Sequence, residues 1–86
     1  MNDHLRDWLA SATADRRQLV AEAAKTTVGH LWQLAGDHRK ASAELAERLQ
    51  DASDGEITIA GLRPDLIELA HKVLRVAEAH SKKAVA

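Results

Sequence analysis

The chain has 86 residues and a net charge of −1, one domain's worth, and at this length only about 60% of the unfolded surface can be buried. It has no Phe, no Tyr and a single Pro, so Ala, Leu, Val, Ile and the two tryptophans Trp8 and Trp32 must build the core. That composition predicts an all-α fold. The absence of cysteine excludes a disulfide scaffold, a thiolate nucleophile and a thiolate zinc site.

The first helix is expected from about Asn2 to Ala12, capped by Asn2 or Asp3, with Leu5, Trp8, Leu9 and Ala12 on one face. A second follows the N-cap Thr13 and runs to Ala24, with Leu19, Val20, Ala23 and Ala24 expected inward. Thr26-Thr27 interrupts the pattern and caps a third helix, Val28 to Ala35. Gly36 to Lys40 reads as a polar loop. Ser42 caps a fourth helix to about Ala52, with Leu45, Ala46 and Leu49 as its apolar face. Glu56 to Leu62 reads as a connector with a short extended piece at Ile57 and Ile59. Pro64 suits the first position of a fifth helix, which runs to about Ser81.

Charge is unevenly spread. Residues 16–40 carry five bases against two acids, whereas residues 41–68 carry two bases against seven acids. A basic block within an acidic chain directs attention to residues 16–40 as an anion-binding face.

That block contains the spacing of a helix–turn–helix, placed at about 17–35. Ala21 is small where a second helix must cross closely, the turn falls four residues later at Lys25, and Leu31 and Leu34 return to the core. On a helical wheel with Leu31 inward, Gly29 and Gln33 point outward and His30 and Trp32 lie on the flanks. No acid occurs between Thr26 and Gly36. Gln bonds bidentately to adenine, and the amino end of such a helix enters the major groove.

With these segments in view, the chain resembles the Cro-type phage repressors, in particular the YdaS-like Cro/antitoxin group. The resemblance spans roughly residues 3–66. It rests on Leu5-Arg6-Asp7-Trp8-Leu9, Leu19 to Ala24, Thr26 to Leu34, Gly36 to Ser42, Gly55-Glu56-Ile57-Thr58 and Leu62-Arg63-Pro64-Asp65. Lys25 stands where the family's turn usually has Gly, and the chain continues past the Arg-Pro-Asp block, where family members often stop. The resemblance implies a compact five-helix, lambda-repressor/Cro-like DNA-binding domain over residues 1–63. The helix over 64–84 reads, from its apolar stripe, as the dimerisation element of the same domain. The resemblance also implies a phage or prophage transcriptional regulator that binds double-stranded operator DNA as a homodimer.

Expected base contacts are Thr27, Val28, Gly29, Trp32 and Gln33, and expected phosphate contacts are Arg17, Lys25, Thr26, His38, Arg39 and Lys40. The last helix carries an apolar stripe close to half its circumference, and Leu62, Leu69, Val73 and Val76 are the expected dimer interface. The alternative is an antitoxin or anti-repressor that keeps the fold and docks a toxin or repressor protein. No enzyme is expected, because no nucleophile–base set or phosphate-cradling glycine loop can be assembled. Neither a metal nor a cofactor is expected, since Glu68 and His71 form a lone Glu-x-x-His pair. With no apolar run near the ~20 residues of a span and no basic-then-apolar start, the reading is a cytoplasmic chain without membrane contact.

Overall fold

The computed structural model describes residues 2–36 and 40–85, with side chains described through residue 76. Its elements are helices α1 (Asp3–Ser11), α2 (Ala14–Ala23), α3 (Val28–Gly36), α4 (Ala43–Ala52), α5 (Ile59–Leu62) and α6 (Pro64–Val85). The all-α expectation therefore holds among the described residues.

Four helix starts are fixed by side-chain caps. Asn2, Thr13, Ser42 and Thr58 accept from the backbone N–H groups of Leu5, Arg16, Leu45 and Gly61. The Thr58 cap corrects one expectation. Within the connector at 56–62, Ile59–Leu62 forms an additional helix of one turn in place of the expected extended piece, because the cap holds it in a coil. Ile57 still faces the core and is fully buried.

α1 packs on α3 and α5, α2 on α3 and α4, and α4 on α5. Leu5, Leu9, Val20, Leu31, Leu49 and Ile57 meet at the centre with almost no exposure. Trp8 closes one side, and its indole N–H donates to Glu56 at 3.3 Å. On α2, however, Leu19 and Ala23 are exposed, Leu19 by 62%; Val20, Ala21 and Ala24 are the inward residues. Both α3 and α4 approach α2 on the Val20–Ala24 side, so a stripe one residue earlier faces water.

Three side chains tie the body together across sequence. Asn2 caps α1 with its Oδ1, and its Nδ2 donates to the carbonyls of Gly61 and Leu62 at 3.3 Å each. His4 Nε2 accepts the Thr58 N–H at 3.0 Å, and its ring lies where a Cβ on Gly61 would stand. Ser53 is fully buried, and its Oγ accepts the Ile57 N–H at 2.8 Å. A buried donor left unbonded costs roughly 1–3 kcal/mol, so these bonds decide how the α4–α5 connection folds.

α6 differs from the rest. Its first turns lean on α5, with Leu66 and Ile67 half-buried, and from Glu68 to Val76 every residue is exposed. Leu69, Val73, Leu74 and Val76 are each 56–59% exposed. The molecule measures 56 × 24 × 19 Å, and a helix of 22 residues, about 33 Å long, accounts for the long dimension. Leu62 lies elsewhere: it ends α5 and is buried in the core of its own chain. It is therefore unavailable to the exposed stripe with which the sequence grouped it.

Candidate nucleic-acid interface

α2 and α3 are joined by residues 24–27. The Lys25 N–H donates to the Glu22 carbonyl at 3.0 Å and the Thr26 N–H to the Ala21 carbonyl at 2.9 Å. This pair of bonds is a Schellman closure, which requires left-handed backbone between the two helices. Lys25 supplies it with φ of 60°. Arg48 on α4 braces the same turn, its Nε donating to the Ala24 carbonyl at 2.9 Å. Thr27 then starts α3: its Oγ1 accepts the His30 N–H at 3.1 Å and its carbonyl the Leu31 N–H at 3.1 Å.

The turn geometry sets which face of α3 is free. Leu31, Leu34 and Ala35 are buried, as the spacing from Ala21 required. Thr27, Gly29, His30, Trp32 and Gln33 are exposed and Val28 is half-buried. The five residues expected at bases thus lie on one continuous surface of α3 and its cap. Nothing lies within 4 Å of a Cβ placed on Gly29, so internal packing does not demand a glycine there. No acid occupies the first turn of α3, whereas α1, α2, α4 and α6 each have one. The positive end of the α3 dipole is left without an intrahelical counter-charge.

Trp32 is 42% exposed. With Arg6, Ala35 and Gly36 it lines an open notch of about 260 Å³ between α1 and α3. Arg6 thereby joins this surface from α1. No local signal marks it, because a cation 26 positions upstream of Trp32 reaches it only through the packing of α1 on α3.

The expected phosphate contacts divide. Lys25 is exposed and Thr26 half-buried, both beside the start of α3. Arg17 has another role: its Nη1 donates to the carbonyls of Leu9 and Ala12 at 2.7 and 3.2 Å, closing the end of α1. Lys40 is exposed after α3 and lies close enough to Asp65 to help lower its pKa. His38 and Arg39 lie outside the described residues.

Arg63 Nη1 donates to the Ala41 carbonyl at 2.7 Å, anchoring the segment that follows α3. Its Nε and Nη2 grip Asp65 at 3.0 and 2.9 Å. That bidentate pairing, chiefly by hydrogen bonding, holds the Asp65 carboxyl down at about 2 and raises the Arg63 guanidinium. Glu56 is likewise lowered, first by the Trp8 indole N–H and then by Arg16 at 3.1 Å.

Other chemistry finds little footing. Glu68 and His71 are both exposed on α6, and among the described residues no group of three His, Cys, Asp or Glu could hold a metal ion. No helix of the described residues is long and apolar enough to cross a membrane. No protein-family model, curated protein or solved structure matches the chain.

Proposed function

We propose that this chain is a sequence-specific DNA-binding transcriptional regulator of the Cro type, with α2 and α3 as its helix–turn–helix and α3 as the reading helix. One observation carries the reading: the exposed surface of α3 holds Thr27, Gly29, His30, Trp32 and Gln33 with no acid, on a helix whose start has no acidic counter-charge. In this reading Gln33 pairs with a base edge, the bare backbone at Gly29 permits close approach, and Lys25 and Lys40 position the protein on phosphates. A regulator of this kind acts in the cytoplasm of a bacterial or phage-infected cell.

Selection from a random duplex pool, followed by gel-shift titration, tests the proposal. A defined site should emerge, and Gln33→Ala should weaken it by ~1–3 kcal/mol while relaxing preference at one base pair. A pool that yields no preferred site, or a Gln33→Ala, Trp32→Ala double variant that binds it unchanged, removes α3 as the reader.

The exposed Trp32 and its notch favour a second reading, an antitoxin or anti-repressor that docks a protein on this surface. Large half-exposed aromatics are frequent anchors of protein interfaces. Under that reading Trp32→Ala abolishes protein capture and Gln33→Ala has no effect on any duplex.

A further inference from the structure

We propose that Arg63 is a positioning residue for Lys40: it ties the segment between α3 and α4 to the start of α6 and so fixes where the Lys40 cation meets a phosphate. The role of Lys40 rests on the DNA reading given above; the tie itself rests on geometry alone.

Arg63 follows α5, and Pro64 after it keeps its backbone out of the helical region, at φ of −137° and ψ of 72°. Its side chain is 18% exposed, and all three guanidinium nitrogens are engaged. Nη1 donates to the Ala41 carbonyl, and Nε and Nη2 donate to the two oxygens of Asp65. A cation committed in this way is poorly placed to take a phosphate itself. What it fixes is the neighbour of Lys40, because Ala41 is buried and its carbonyl is held by Arg63.

The end of α3 is held from the same corner of the molecule. Asn2 donates its backbone N–H to the Ala35 carbonyl at 2.9 Å and its Nδ2 to the Gly61 and Leu62 carbonyls of α5. The chain is thus anchored just before Gly36 and just after Lys40. Lys40 is exposed beside the second anchor and lies near Asp65. The anchor needs an arginine. A guanidinium is a rigid fork whose nitrogens reach a carbonyl and a carboxylate at once, whereas a lysine nitrogen is one point on a flexible stem. Lysine at this position would keep the charge and lose the placement.

Duplex binding by the full chain, at a temperature where melting curves show each variant folded, tests the assignment. Lys40→Ala should weaken cognate and random duplexes alike and lower the salt slope by about one unit. Arg63→Lys leaves the net charge at −1 and should do the same, and the double variant should bind no more weakly than Lys40→Ala alone. A purely structural loss would reduce the active fraction and leave the slope unchanged. Asp65→Asn removes a negative charge, which by itself favours DNA, yet should weaken binding because the fork loses its bidentate hold. In the free protein, nitrogen relaxation should show the Lys40 and Ala41 amides as rigid as α4 in the wild type and looser in Arg63→Lys. Should Arg63→Lys melt below the working temperature, Asp65→Asn carries both measurements. Wild-type affinity and slope in Arg63→Lys, effects of Arg63→Lys and Lys40→Ala that multiply, tighter binding by Asp65→Asn, or unchanged amides would each overturn the proposal. A wild type that binds no duplex removes the DNA reading and the role of Lys40 with it; loosened amides in Arg63→Lys would then leave the tie standing.

Discussion

Single side chains in this protein do work that their residue type does not announce. Arg17, Arg48 and Arg63 all donate to backbone carbonyls, at the end of α1, at the end of α2 and on the segment after α3. Each satisfies acceptors that a helix end or loop would otherwise leave bare. Arg63 also holds Asp65, and this pair has a pH signature. The Asp65 carboxyl falls from its ordinary 3.8 to about 2 in the folded chain, so folding favours its ionised form. Its contribution is fully present above pH 3.8 and is lost as the pH falls through about 2. A series of urea midpoints from neutral to acid should show wild-type stability dropping across that window. Asp65→Asn should be less stable at neutral pH and flatter there; an unchanged slope would dissociate Asp65 from the acid limb.

At the scale of elements, the α2–α3 turn decides the site. Its closure needs a left-handed residue, and Lys25 occupies that position at φ of 60° without being glycine. Left-handed backbone costs an L-residue roughly 1–2 kcal/mol. Lys25→Gly should stabilise the fold by about 1 kcal/mol after the entropy that Gly brings to the unfolded chain, measured as a higher denaturation midpoint at constant slope. A lower midpoint would mean that the Lys25 side chain supports the turn. Under the DNA reading the same variant should lose affinity for all duplexes alike, since a phosphate-contacting cation is removed. The turn thus couples a small instability to the placement of a charge beside the start of α3.

For the whole molecule, net charge and the proposed function pull in opposite directions. A chain of net −1 is repelled by DNA at long range, so under the DNA reading binding would depend on the local cations around α3. Few phosphates are then neutralised and the salt dependence should be shallow. Lys40→Ala should weaken cognate and random duplexes equally and reduce the salt slope by about one unit in a titration from low to moderate salt. A loss confined to the cognate site would make Lys40 a base reader instead.

The sequence by itself determined the helices other than α5, with caps at Thr13, Thr27 and Ser42. Thr13 and Ser42 are local signals, and the spacing of Leu5, Trp8 and Leu9, of Leu31 and Leu34, and of Leu45 and Leu49 marks faces that the structure buries. The outward face of α3 followed from the same periodicity, because a helix that seats Leu31 must turn Gln33 away. Tertiary structure decided the rest. Val20 and not Leu19 faces inward because α3 and α4 both approach that side of α2, a choice that two adjacent apolar residues do not encode. Leu62 belongs to the core because the Thr58 cap coils the connector and turns it there. Arg17 is engaged by the end of α1, and Arg6 joins Trp32, because helices distant in sequence pack side by side. Periodicity states that a face is apolar or charged; only the packing of the other helices states what that face meets.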